Sequence, residues 1–325
     1  MYQKGGTQTS MKKNKLITTL LLAFGTTAGT DLLNKYIKMT ATAKNLLEEP
    51  QAFCYQWRFG NIHYTKTGNG KPLLFIHDLH HTSSGAEWDR LIPLLKDQYT
   101  VYTIDLLGCG RSEKPGLTYT NFLYVQLIND FIKSEIGRRT NVIATGSSAP
   151  LVTMACTYNK DIFEQIMFIN PDNFNSCAQM PDHYSKIYKN ILDAPVFGTL
   201  FYHIASSKES IKKTFAEKYF YNPYNAKHSY IDKYYEAAHL GISPKSVYSS
   251  ICCKYTKANI FHALNHIDNS IYILGGEAKS GISEIIKEYT QCNAAIESSV
   301  IPATKHLPQL EKPAEVASVV KMFFN

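Results

Sequence analysis

No C-x-x-C pair occurs among the seven cysteines, and their number is odd. Cys54, Cys109, Cys156, Cys177, Cys252, Cys253 and Cys292 thus show neither a zinc-site spacing nor an even disulfide framework. Cys109 and Cys156 fall at expected turn or core positions as small apolar fillers, and no redox chemistry is indicated. The apolar stretch from Leu16 to Ala28 is broken by Thr18, Thr19 and Thr26. It falls short of the roughly 20 residues needed to span a bilayer comfortably. Basic and aromatic residues do not interleave in the way that tracks a nucleic-acid strand, which excludes nucleic acid as a partner. The charge that is present is scattered. Lys and Arg number 34 against 27 Asp and Glu, a net of +7, and the local cluster is Lys12, Lys13 and Lys15. With 325 residues, 44% hydrophobic and 19% charged, the chain suits one large α/β domain with insertions.

Residues 1–52 stand apart from that domain. Basic residues followed by a short apolar segment have the form of a signal peptide or a marginal membrane anchor. If the segment inserts, its lysines stay on the cytoplasmic side. Residues 12–30 are therefore the expected route to a membrane, and the chain is expected to be membrane-associated or exported. The free cysteines pull towards the alternative, a cytoplasmic protein. Residues 31–52 read as a linker with helical character.

The folded domain is expected over 53–325. Gln56-Trp57-Arg58-Phe59 and Ile62-His63-Tyr64-Thr65 alternate about Gly60-Asn61, the pattern of a hairpin. Pro72 to Asp78, Val101 to Asp105, Asn141 to Thr145 and Gln165 to Asp172 are short runs that read as buried strands. Helical stretches lie between them, at about Glu87–Leu95, Asn121–Ile136 and over the apolar run Leu151 to Cys156. This alternation predicts an α/β fold with a mostly parallel central sheet and helices on both faces. From about residue 173 to 266 the rhythm breaks into tyrosine-rich helical spacings such as Tyr184, Ile187, Tyr188 and Ile191, an inserted helical cap. Ile271 to Gly276 resumes the sheet. A helix over Ser283–Asn293, a strand at Ser299–Pro302 and a helix over Glu311–Phe324 close the chain.

A strand that turns at once into a helix lifts one residue clear of the sheet, and small neighbours are needed around it. In Thr145-Gly146-Ser147-Ser148-Ala149 the exposed residue is Ser147; Ser148 fits the same run one place later. With three further stretches in order, this run resembles the α/β-hydrolase superfamily over roughly Trp57 to Asn325. Leu74-Phe75-Ile76-His77-Asp78 resembles the family's His-Gly turn. Ile104-Asp105-Leu106-Leu107-Gly108-Cys109-Gly110-Arg111-Ser112 matches its Asp-x-x-Gly-x-Gly-x-Ser turn. Ala303-Thr304-Lys305-His306-Leu307-Pro308-Gln309-Leu310-Glu311-Lys312-Pro313 resembles its histidine loop, and residues 145–149 its nucleophile elbow.

The resemblance implies the α/β-hydrolase fold and a serine hydrolase acting on an ester or related acyl bond. Ser147 would attack the carbonyl, His306 would take its proton, and the backbone N–H groups of Leu79 and Ser148 would hold the oxyanion. His77 and Asp105 would fix turns around the site. The implied partner is an apolar small-molecule acyl substrate, shaped by the cap, with no metal or organic cofactor. Two positions depart from the family. Asp78 stands in place of the turn's glycine, and Lys279 stands where the triad acid is usual. The acid must come from elsewhere or be absent; Asp172, just after the preceding strand, is the first candidate and Glu277 the next. A serine nucleophile argues against the dehalogenase and epoxide-hydrolase branches. A carbon–carbon bond hydrolase, or a binding protein that has lost the chemistry, remain the alternatives.

Overall fold

Runs rich in Ile, Val, Phe and Tyr become the strands, because stiff branched and aromatic side chains suit a pleated sheet covered on both faces. In the computed structural model, which describes residues 28–49 and 51–325, the strands are β1 (Ala52–Trp57), β2 (Gly60–Thr67), β3 (Lys71–Ile76), β4 (Tyr99–Ile104), β5 (Thr140–Thr145), β6 (Phe163–Ile169), β7 (Ser270–Gly276) and β8 (Glu297–Ile301). They form one eight-stranded sheet in the order β1-β2-β4-β3-β5-β6-β7-β8. β1 and β2 pair antiparallel, as do β2 and β4; the other neighbours are parallel. Trp57 pairs with Gly60, so the first hairpin turns at Arg58-Phe59, two residues earlier than the alternation suggested. Most of the expected signal or anchor stretch lies outside the described residues.

The helices follow the expected alternation. Residues 28–42 form α1. Then come α2 (Ile92–Leu95), α3 (Asn121–Phe131), α4 (Ala149–Tyr158), α5 (Phe174–Cys177), α6 (His183–Asp193), α7 (Phe197–Ala205), α8 (Lys208–Thr214), α9 (His228–His239), α10 (Lys245–Cys252), α11 (Phe261–Asn265), α12 (Ile282–Cys292), α13 (Pro308–Glu311) and α14 (Pro313–Phe323). Residues of α3, α4 and α12 join the apolar core on one face of the sheet, and α2 and α14 join the core on the other. β5 runs between them with all six residues buried. Each fully buried Ile, Val or Phe there contributes about 1.5–3 kcal/mol, so the central strands are a rigid base for whatever stands at their C-terminal ends. Between β6 and β7 the chain makes α5 to α11 and no strand, and this helical layer covers that end of the sheet.

Candidate active site

Three turns at the C-terminal ends of the parallel strands meet at one point. β5 passes directly through a 3₁₀ turn, Gly146–Ser148, into α4. The residue in the left-handed backbone region is Gly146, with φ of +55°; neither Ser147 nor Ser148 is. An L side chain there would be strained by about 1–2 kcal/mol, which glycine avoids. The position that the elbow lifts off the sheet therefore carries no side chain. What fills its place comes from β3. A Cβ built on Gly146 would stand 2.5 Å from Asp78 Oδ1, so the Asp78 carboxylate occupies the space an elbow side chain would take.

That carboxylate is held at both oxygens. The Ser147 backbone N–H donates to Oδ1 at 2.8 Å, and Oδ2 lies 2.9 Å from His306 Nε2. Burial works to raise the Asp78 pKa, but the paired imidazole and the Ser147 N–H outweigh it and hold the group well below the usual carboxylate range. The Leu79 N–H, adjacent in the chain, donates to no acceptor among the described residues.

The serines face elsewhere. The Ser147 hydroxyl donates to Asp172 Oδ2 at 2.8 Å and forms no hydrogen bond to His306. Ser148 is fully buried and its hydroxyl donates to the His77 carbonyl at 2.6 Å, tying the elbow to the β3 turn. Asp172 takes Lys257 Nζ at 2.8 Å as its second partner and does not touch the imidazole. Glu277 accepts the Ala303 N–H on the far side of the loop. Among the described residues, Asp78 is the one carboxylate within ion-pair distance of His306. The expected order Ser147–His306–Asp172 is therefore replaced by two separate pairs, Ser147 with Asp172 and His306 with Asp78. The physical reason is the register of the turn: Gly146 rather than Ser147 stands at the left-handed elbow position, and the Asp78 carboxylate, filling the space beside it, is the group that meets the imidazole.

His306 is positioned by residues that its own motif does not reveal. Asn170, at φ +51°, donates through Nδ2 to the carbonyls of Lys305 and His306 at 2.8 and 2.9 Å and accepts the Gly276 N–H. Tyr219, from the cap, stacks on the imidazole with centroids 5.0 Å apart, and its carbonyl accepts the His306 N–H. Lys279 donates to the carbonyls of Asn170 and Pro171, and burial lowers its pKa to about 8. It buttresses the turn at the end of β6. His77 accepts the Leu106 N–H at Nε2, which leaves Nδ1–H to donate to the Asp78 carbonyl. Asp105 accepts the Gly85 and Arg111 N–H groups. Behind Asp78 lies Glu87, fully buried, accepting the Asp78 N–H and Gln309 Nε2. Burial first, then the Asp78 charge, pushes the Glu87 carboxyl up to about 8. The sequence offered one signal for this cluster, the misfit of Asp78 to the His-Gly turn.

Known proteins agree with this architecture. The model of a family described as "Alpha/beta hydrolase family" matches residues 73–319. A 2-hydroxy-6-oxo-6-(2'-aminophenyl)hexa-2,4-dienoic acid hydrolase of Metapseudomonas resinovorans is 33% identical over 97 residues, which are 27% of this chain and 32% of that protein. A soluble epoxide hydrolase of Corynebacterium sp. (strain C12) is 27% identical over 109 residues, 34% of this chain and 37% of that protein. The chain thus spans about a third of the length of these curated relatives. Among solved structures, the epoxide hydrolase CorEH without ligand superposes with a TM-score of 0.67 at 20% identity, over 84% of this chain and 98% of that one, a likeness of fold.

Proposed function

Since the chain belongs to the alpha/beta hydrolase family, we propose that it is a hydrolase whose reacting pair is Asp78 and His306, acting on a strained or activated carbon–oxygen bond at an alkyl carbon, as in an epoxide. The observation that carries this reading is the Asp78 carboxylate standing where the elbow side chain belongs, one oxygen on the Ser147 N–H and the other on His306 Nε2. The nucleophile's chemistry supports the substrate class. A carboxylate that attacks an acyl carbon gives a reactive anhydride, whereas attack on an alkyl carbon gives an ordinary ester that water can open.

The steps balance on these two side chains. Asp78 Oδ2 bonds to the alkyl carbon, the carbon–oxygen bond breaks, and the imidazolium gives its Nε2 proton to the leaving oxygen. The neutral His306 then takes a proton from water as that water attacks Asp78 Cγ. The oxyanion formed on Asp78 meets the N–H groups of Ser147 and Leu79. On collapse the departing alkoxide takes the imidazolium's proton and leaves as the alcohol, and the Asp78 carboxylic acid passes its own proton to His306, which restores carboxylate and imidazolium. The epoxide hydrolase among the relatives supports the same class.

A second reading, hydrolysis of a carboxylic ester through Ser147, is favoured by one contact. The Ser147 hydroxyl already donates to a carboxylate, Asp172. Two variants and one probe separate the readings. With Asp78 as nucleophile, Asp78→Gly loses hydrolysis of p-nitrostyrene oxide, Ser147→Ala keeps it within a few-fold, and a fluorophosphonate leaves Ser147 unlabelled. Labelling at Ser147, together with p-nitrophenyl acetate hydrolysis that survives Asp78→Gly and vanishes in Ser147→Ala, establishes the serine reading instead.

A further inference from the structure

The outer face of the cap is apolar in a way that packing does not require. On α6, Tyr184, Ile187, Tyr188 and Ile191 recur at i, i+3, i+4 and i+7, and each is exposed, from 47% to 71%. On α7, Phe197, Leu200, Phe201 and Ile204 repeat the same spacing and are exposed from 49% to 68%. The two stripes flank one groove of about 490 Å³, lined by Ile187, Ile191, Ala194, Phe197 and Phe201 with Asn190 as its polar member. A helix normally turns such a stripe inward, and a contiguous exposed patch of this kind marks a docking surface.

We infer that this face docks on an anionic lipid bilayer. Three observations select lipid over a second protein. First, the charge on α6 and α7 is sparse and of the right sign. The pair carries Lys186, Lys189 and Asp193; Lys189 is buried in an ion pair with Asp193, which also takes Ser249, so among the described residues of these helices the one free charge is the exposed Lys186 and no free carboxylate faces the groove. Second, the stripes mix Tyr and Phe with Ile and Leu, the composition of helices that lie in a membrane interface. Third, the chain leads there. α1 packs beside α7, its Asn34 bonded to His203 at 2.5 Å and its Lys38 to the Gly241 carbonyl at 2.9 Å. α1 has its own exposed stripe of Leu32, Tyr36 and Met39. Immediately before it in sequence come the apolar residues 16–28 and the lysines at 12, 13 and 15. No helix among the described residues is long and apolar enough to cross a membrane, so the face would lie on the bilayer rather than in it. Docking there sets the cap against a reservoir of apolar substrate.

The test uses the full chain and vesicles of phosphatidylcholine with about one-quarter phosphatidylglycerol, read by co-sedimentation. Ile187→Glu/Phe201→Glu replaces exposed side chains, so the thermal midpoint should hold while vesicle partitioning falls tenfold or more. Lys12→Glu/Lys13→Glu/Lys15→Glu should weaken partitioning separately, and salt should weaken the wild type. A wild type that stays in the supernatant overturns the inference, and so does a double variant that sediments like the wild type. If size-exclusion chromatography gives a dimer that the double variant dissociates while its vesicle partitioning is unchanged, the occupant is a second copy of the chain.

Discussion

Asp78 and Glu87 divide one task between two carboxyl groups. The first is held ionised by His306 and the Ser147 N–H, and the second is kept protonated at neutral pH by burial beside it. A protonated Glu87 also resolves its neighbour. Gln309 Oε1 is buried without a partner while Gln309 Nε2 donates to Glu87; turning that amide over sets its oxygen against the acid's O–H. The pH dependence follows with a definite sign. Between the ordinary carboxyl range and about 8, the folded chain keeps a proton that the unfolded chain has released. Stability from this group is therefore full at low pH and falls as pH rises through that window, with a slope of up to about 1.4 kcal/mol per pH unit. Urea unfolding at pH 5.5 and 7.5 should show this loss, and Glu87→Gln, neutral and of the same shape, should remove it. At Asp78 itself, Asp78→Asn keeps an acceptor for the Ser147 N–H but loses the nucleophile. Activity should fall on the order of 10⁴- to 10⁶-fold with little change in thermal midpoint.

At the scale of elements, the account turns on the join between β5 and α4. Gly146→Ala places a methyl group 2.5 Å from Asp78 Oδ1 and forces φ +55° on an L residue. The backbone alone costs about 1–2 kcal/mol; the clash should also eject the carboxylate and abolish turnover. Ser147→Ala, one residue on, should do neither. Asn170→Ala removes the donor that holds the carbonyls of Lys305 and His306 and should lower both stability and activity, read by thermal unfolding and by turnover. This join also marks how far the sequence could be read. The buried runs and their alternation with helices were legible, because apolar period and turn residues are local signals. The elbow's register was not, because Gly146, Ser147 and Ser148 are all small and only backbone geometry says which one stands at the strained position. Asp172 sat in the expected place after β6, yet its partner is set by Lys257, 85 residues away, a contact no local pattern encodes.

At the scale of the molecule, the site is closed. Asp78 and His306 are 13% and 15% exposed, and cap residue Tyr219 stacks on the imidazole. The N-terminal part is tied to the cap. Glu236 on α9, fully buried, accepts the N–H groups of Leu46 and Leu47 at 2.7 and 3.3 Å. Glu236→Ala strands those donors and should cost about 1–3 kcal/mol in thermal unfolding. The central claim is that the carboxylate of Asp78, reaching across from β3, does the work of an elbow side chain. It is tested most directly by turning over p-nitrostyrene oxide in ¹⁸O-water and sequencing the Asp78 peptide by mass spectrometry. Water that attacks Asp78 Cγ leaves its oxygen in the carboxylate, so the peptide should gain 2 Da at Asp78 alone; product formed at full rate with Asp78 unlabelled would contradict the account.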